Sequence, residues 1–330
     1  MPLSYRQWLG AAALSALLSV NSYAATVLKL AYAENSQPVK TALNYIGEAV
    51  AKKTNGQVQI QYFPDSQLGG ERELVEMTQV GAIDLTKVSS GLMESFSPLY
   101  GVFSLPYLFD SEKSFYQIMN DSSIMRQVYQ STQAQGFVGV GWYDSGARSF
   151  YMTKGPIRDV ADLNGKKIRV MQSDTAIQTM KLLGASAVAM AQAEVYTSLQ
   201  QGIIDGAENN EFALTVARHG EVAKYYSCDM HTRIPDVILM SNATAAKLTS
   251  QQQKALQEAI DESMQVEQKA WHEAVEKARS TAKNQFGVHF YEVNKAPFKA
   301  RVQPLYQQLK AKPKVYALYQ QITDKLNSQQ

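Results

Sequence analysis

Strand-like and helix-like patterns take turns from Val27 onward, and that alternation restricts the chain to a small set of folds. Val27–Tyr32 (VLKLAY) alternates as a strand and is followed by the loop Glu34–Ser36. Val39 to Thr54 places Leu43, Ile46 and Val50 at helical spacing and stops at Asn55 and Gly56, a good C-terminal cap. Val58–Phe63 (VQIQYF) alternates again. After the loop PDSQLGG a helix is expected over Glu71–Val80, then Gly81 and a third strand over Ala82–Val88. Repeats of this kind imply parallel βα units and an α/β protein.

The stretch from Gly165 to Asn210 extends the pattern and adds chemistry. Arg169 stands inside an apolar run (Ile168, Val170, Met171) that reads as a strand opening onto a loop. An amphipathic helix, the helix-stopping Gly202, a short strand and the polar cluster Glu208-Asn209-Asn210 follow. Strand ends bearing a cation and neighbouring amides are where an open α/β sheet meets a small anionic ligand. The segment also echoes an earlier one: ELVEMTQVGAID (73–84) and EVYTSLQQGIID (194–205) align without a gap, each a helix, a glycine and a strand ending in Asp. The echo suggests two similar α/β domains, although helix-glycine-strand junctions are common enough to coincide by chance.

Two segments read as crossings between such domains. Val138–Tyr143 ends near Ser145-Gly146-Ala147 and a second alternating segment, Arg148–Thr153, starts at once; Pro235–Met240 is the expected return. Thr249 to Phe286 is the longest regular element, capped by Thr249 or Ser250 and ended by Gly287. Such a helix spans roughly 55 Å, so it either lies across both domains or is kinked into two. The tail after Pro297 is amphipathic and expected on the surface.

The first 24 residues differ from the rest. Arg6 is their only charged side chain, Trp8 to Val20 is apolar or small, and Ser22-Tyr23-Ala24 closes on a small-x-small pattern. The apolar run holds 13 residues, short of the roughly 20 that span a bilayer, so a signal peptide cleaved after Ala24 and a periplasmic protein are expected. The remaining 306 residues suffice for two domains. Of the 32 basic and 30 acidic residues in the chain, Arg6 leaves with the leader, and a net charge of +1 argues against nucleic acid or an anionic membrane as partner. Cys228 is the only cysteine, so no intrachain disulfide forms, and its apolar context (YYSCDM) reads as a buried small hydrophobe.

Reactive constellations are missing from the pattern. His219, His231, His272 and His289 are scattered without metal-ligand spacing, and there is no nucleophile elbow or phosphate loop. No metal, no cofactor and no catalytic residue are therefore expected. Arg148 and Arg169 each lie in an apolar segment at the start of the second expected domain. Either is an outward-facing strand residue with its head in water, or a guanidinium fork for a carboxylate, a geometry lysine cannot supply.

Read together, QLGGERELVEMTQVGAIDL (67–85), LPYLF (105–109), GARSFY (146–151), LNGKKIRV (163–170), EVYTSLQQGIIDGAENN (194–210) and the long helix resemble the substrate-binding proteins of tripartite ATP-independent periplasmic (TRAP) transporters, the DctP family. The resemblance covers nearly all of the chain after the leader. It implies a two-domain periplasmic-binding-protein-like fold with crossing hinge strands and a long domain-spanning helix. Domain I would comprise residues 25–145 with 235–274, and domain II residues 146–234 with 275–330. It implies a monomer that captures a small organic-acid anion by domain closure and delivers it to membrane permease subunits.

The resemblance also implies site residues. Arg169 would clamp the ligand carboxylate, Arg148 would add a second contact, and Asn209 would join them. Glu34 and Asn35 after the first strand, and Ser89 and Ser90 at the end of the third, would face the cleft from domain I, with Tyr196 and Glu211 as further candidates. Some members carry an aromatic residue where this chain has Gln192, and an amide suits a ligand rich in hydroxyls. The pattern is most similar to hexuronate-binding members, which implies D-glucuronate or D-galacturonate; C4-dicarboxylates and other sugar acids are the alternatives. The rivals from other classes are an exported sugar-acid enzyme, for which no acid–base pair stands out, and a ligand sensor.

Overall fold

The computed structural model describes residues 25–328; the expected leader, residues 1–24, lies outside the described residues. Its strands are β1 (Thr26–Tyr32), β2 (Val58–Phe63), β3 (Leu85–Ser89), β4 (Phe137–Tyr143), β5 (Ala147–Met152), β6 (Lys167–Val170), β7 (Ser186–Ala189), β8 (Gly206–Asn209), β9 (Tyr225–Arg233), β10 (Asp236–Ser241) and β11 (His289–Glu292). They form a five-stranded sheet in the order β2-β1-β3-β10-β4 and a six-stranded sheet in the order β11-β9-β5-β8-β6-β7. β1 runs parallel to β2 and β3, and β6 parallel to β7 and β8, as the repeated βα pattern implies. β10 lies antiparallel between β3 and β4, and β5 antiparallel between β8 and β9.

The helices are α1 (Gln37–Lys53), α2 (Glu71–Gln79), α3 (Ser90–Met93), α4 (Glu112–Met119), α5 (Ser122–Gln130), α6 (Asp174–Leu183), α7 (Gln192–Gln200), α8 (Glu211–Thr215), α9 (Asn242–Lys247), α10 (Ser250–Phe286), α11 (Ala296–Gln308) and α12 (Pro313–Asn327). The buried face of α1 (Val39, Leu43, Ile46, Val50) meets Leu28 and Leu30 of β1 and Leu256, Ala259 and Ile260 of α10. Each such aliphatic side chain removed from water contributes roughly 1.5–3 kcal/mol.

The internal echo is structural. Asp84, after α2, donates its backbone N–H to the Lys29 carbonyl (3.0 Å) and accepts the Lys29 N–H on Oδ2 (2.8 Å). Asp205, after α7, does the same with Lys167, at 2.8 Å in both directions. The sequence reading placed each Asp at a strand end; it stands instead just before the strand. The reason is that Ala82 and Ile83 direct their N–H groups back to the Met77 carbonyl, and Ile203 and Ile204 direct theirs to that of Ser198. That hydrogen bonding finishes the helix and delays the strand.

The two sheets are joined by the expected crossings, β4 to β5 through Asp144-Ser145-Gly146 and β9 to β10 through Ile234-Pro235. α10 passes beside them as one unbroken helix of 37 residues, so it is not kinked into two. Thr249 caps it, with Gln252 returning the bond, and Gly287 closes it in a left-handed conformation. In its first half Glu262 receives the Tyr45 hydroxyl and the Lys53 ammonium of α1. From the next residues toward mid-length, Ser263 meets the Tyr143 hydroxyl at 2.8 Å and Glu267 accepts the Asp144 N–H at 3.0 Å. Toward its end the Arg279 guanidinium lies over the Phe290 ring of β11. The tail divides: Arg301 of α11 donates to the Leu182 carbonyl of α6, whereas α12 returns to the first part of the chain, where Lys325 pairs with Asp121. Cys228 is buried, as its context implies, and burial pushes its thiol up to about 11.

Candidate ligand-binding site

Arg169 sits in β6 between Ile168 and Val170, and all three side chains are buried. Its Nε and Nη2 both donate to the Met190 carbonyl, at 3.0 and 2.8 Å. Nη1 is buried and has no hydrogen-bond partner, and no carboxylate forms an ion pair with this arginine among the described residues. Burial pulls its pKa down, and the nearby Arg148 adds to the effect. The result is a desolvated cation with one edge fixed and one edge unpaired.

Arg148, in β5, is equally buried but fully engaged. Nε and Nη2 donate to Glu208 Oε2 (2.6 Å) and Oε1 (2.9 Å), Nη2 also to the Glu208 carbonyl (2.7 Å), and Nη1 to Asn209 Oδ1 (2.8 Å). Although burial raises the Glu208 carboxyl, Arg148 and His231 outweigh it and hold the group at about 2. His231 lies 3.4 Å from Glu208 and 2.7 Å from Asp229 and stacks on Phe150. Burial disfavours its charge, but the two carboxylates raise it to about 9, so the ring is an imidazolium at neutral pH. Asn209 Oδ1 is shared between Arg148 and the Asn210 N–H, which leaves its Nδ2 as the group a ligand can meet. Asn210 is a cap: its Oδ1 accepts from Phe212 N and its Nδ2 holds the Ser145 carbonyl.

The opposing wall comes from the first sheet. Lys87 of β3 is almost fully buried and pairs with Asp236 (2.6 Å) and Glu34 (3.2 Å). Burial opposes its charge, but these carboxylates and Glu71 more than offset that and raise its pKa. Glu71, first residue of α2, accepts the Ser89 N–H at 3.0 Å. Burial pushes its carboxyl up to about 7 against the pull of Lys87, and the field of Arg169 also reaches it from the facing wall. Asn35 Oδ1 and Ser90 Oγ are buried without hydrogen-bond partners.

The walls touch at the rim. Arg72 donates to Gln172 at 2.8 Å, and Glu94 accepts from Ser173 Oγ (2.7 Å) and from Thr175 N and Oγ1 (3.1 and 2.7 Å). A methyl group added to Gly91 would stand 2.6 Å from Met171 Cε, which shows how closely β3–α3 approaches the end of β6.

The structure thus brings Arg169, Arg148 and Asn209 together on one wall and Asn35, Ser89 and Ser90 on the other. Glu34 is tied to Lys87 and to the Ser36 N–H. Gln192 is half-buried two residues beyond Met190, whose carbonyl holds Arg169. Tyr196 instead directs its hydroxyl to Glu221 (2.9 Å), and Glu211 lies in the field of Arg279 and Glu276 of α10. Lys87 and Glu71 escaped the sequence reading. A lone lysine inside the apolar strand LTKVS was the available signal for Lys87 and has the form that singled out Arg169.

Two α/β sheets joined by crossing strands and a spanning helix, with charged walls meeting between them, define a two-domain solute-binding protein. The chain belongs to the family described as bacterial extracellular solute-binding protein, family 7, which matches over residues 31–312. A TRAP periplasmic solute-binding protein of Anaerococcus prevotii, solved with bound α/β-D-glucuronate, is 38% identical with a TM-score of 0.89, covering 92% of this chain and 99% of that one. One of Xanthobacter autotrophicus, with bound β-D-galacturonate, is 37% identical with a TM-score of 0.85, covering 89% and 98%. A Salmonella typhimurium protein, YiiZ, is 64% identical over 94% of this chain and 95% of its own length.

Proposed function

We propose that the protein captures a hexuronate, D-glucuronate or D-galacturonate, in the cleft between its two sheets and delivers it to a TRAP membrane permease without chemical change. The observation that carries the reading is Arg169: a buried guanidinium with a free Nη1 and, among the described residues, no counter-carboxylate suits an incoming carboxylate. The uronates bound by the Anaerococcus and Xanthobacter relatives support the same ligand class. In this reading Asn209, Gln192, Asn35 and Ser90 share the sugar hydroxyls, while Arg148 orients Asn209. Domain closure at the two crossings would bury the ligand, with domain I as residues 25–145 and 235–274 and domain II as 146–234 and 275–330, of which the last helix, α12, packs back on domain I. The protein would be an exported monomer, cleaved after Ala24.

Calorimetry with D-glucuronate and D-galacturonate tests the ligand class. Arg169→Ala should lose several kcal/mol of binding free energy, because one partner of a buried charge pair is removed. Arg169→Lys should also bind poorly, since the fork is gone. Unchanged affinity in both variants would refute the carboxylate clamp. Intact mass of the periplasmic fraction, beginning at Ala25, tests the leader.

A further inference from the structure

The wall opposite Arg169 is acidic and rich in acceptors. One ammonium, Lys87, stands there with three carboxyls, Asp236, Glu34 and Glu71, and its bonds at 2.6 and 3.2 Å already go to the first two. Glu71 spends one oxygen on the Ser89 N–H and forms no ion pair among the described residues. Beside them Asn35 Oδ1 is a buried acceptor without a donor, and Ser90 Oγ is also unpartnered. Across the cleft, Glu208 and Asp229 match Arg148 and protonated His231, which leaves Arg169 as the net positive charge of the facing wall at neutral pH. The cleft therefore has two poles of opposite sign.

We propose that the acidic pole is a specificity filter: it accepts the hydroxyl end of an acid bearing one carboxylate and rejects an acid that carries carboxylates at both ends, with Glu71 enforcing the rejection. The inference rests on the hexuronate reading and names what that site excludes. Hydroxyl groups can donate to Glu71, Asp236 and Asn35 Oδ1, relieving an acceptor that is otherwise unpaired. A second carboxylate has no proton to donate and would be desolvated against three carboxyls. Lys87 offers little relief, because its charge is already matched within the wall. Repulsion built into a binding site is how a protein separates ligands that share their attractive contacts.

The test uses D-galactarate, a sugar acid with two terminal carboxylates, D-galactonate, its open-chain counterpart with one, and D-galacturonate. Calorimetry on the wild type at pH 8, where the Glu71 carboxyl is ionised, should find galactarate about 100-fold or more weaker than galacturonate, the scale of a like charge placed in a buried site. In Glu71→Gln the amide oxygen still accepts the Ser89 N–H, so the fold is conserved and an unchanged melting temperature verifies it. Galactarate should gain about tenfold or more in that variant as the like charge is removed, while galacturonate and galactonate, which lose a charged acceptor for a hydroxyl, should weaken. Wild-type galactarate binding as tight as galacturonate, or no gain for galactarate in Glu71→Gln, would overturn the filter and leave the hexuronate reading standing. Failure of galacturonate to bind the wild type would overturn both.

Discussion

Arg148 and Glu208 form a two-pronged ion pair inside the second sheet, with Nε–Oε2 at 2.6 Å and Nη2–Oε1 at 2.9 Å and both side chains almost wholly out of water. Removing one member leaves the other charged, buried and unpaired, which costs about 3–5 kcal/mol. Glu208→Ala should therefore unfold in urea at a clearly lower midpoint. A loss below about 1 kcal/mol would mean that the pair contributes little to the fold.

Arg169 should behave in the opposite way. It is just as buried, but among the described residues a carbonyl is its only partner and its burial goes uncompensated. Arg169→Met keeps much of the volume and removes the charge, so the unliganded protein should be as stable as the wild type or more so. The wild type should gain about 2.7 kcal/mol from ligand at 100 times its dissociation constant, and the variant should gain none. Melting curves with and without D-glucuronate read both effects. A variant that unfolds early without ligand would make Arg169 a structural residue.

These two arginines show how far the sequence could be read. Alternation and helical spacing located β1 to β6, β10 and the long helix, because each depends on a period that a few residues display, but they left β7, β9 and β11 unmarked. The buried arginines were visible as charges in apolar runs, but which one is free depends on Glu208 reaching Arg148 across the β5–β8 pairing. No local pattern encodes that contact. Glu71 reads as an acidic residue in a first helical turn, which ordinarily serves the helix dipole; only the fold places it opposite Arg169. The hydroxyl of Tyr196 goes to Glu221 through tertiary packing that helical spacing alone does not reveal.

The acid response should include two opposing groups. His219 is buried against the Tyr151 hydroxyl, and burial lowers it from 6.5 to about 3. Its contribution to stability is present above pH 6.5 and is lost as the pH falls toward 3. Glu71 is raised from 4.5 to about 7, so its contribution is present below 4.5 and is lost as the pH rises through 7. His231 keeps its proton up to about 9 and adds little slope between them. Between pH 7 and 4.5 the wild type should thus gain stability relative to Glu71→Gln, on the order of 1 kcal/mol after solvent screening. Chemical denaturation of both proteins across that range measures the difference; a gap that shrinks as the pH falls would contradict the assignment.

Asp84 and Asp205 perform one task at unequal cost. Both clasp the neighbouring parallel strand, but Asp84 also accepts from the Thr244 hydroxyl (2.8 Å) and the Lys247 ammonium (2.7 Å) and is almost wholly buried. Asp205 is half-buried, and its side chain holds only the Lys167 N–H. Asp84→Ala should cost about 3 kcal/mol and Asp205→Ala about 1 kcal/mol, the difference reflecting donors left unpaired. Equal losses by urea unfolding would show that the backbone clasp dominates at both places.

Gly146 lies in the β4–β5 crossing with φ +64°, and an added Cβ would stand 2.9 Å from Trp271 Cζ2 of α10. The Trp271 ring is itself fixed against Phe212, so it cannot swing aside freely. Gly165 has a nearly equal φ of +71° and open space around the same position. An alanine at either site therefore incurs a left-handed backbone cost of roughly 1–2 kcal/mol, but only Gly146→Ala must also displace a core side chain at a crossing. That variant should lose more stability than Gly165→Ala and also change D-glucuronate affinity, because the crossing sets how the two walls meet. Gly165→Ala should leave affinity unchanged. Equal stability losses, with affinity untouched in both, would show that the Trp271 contact places no constraint on closure.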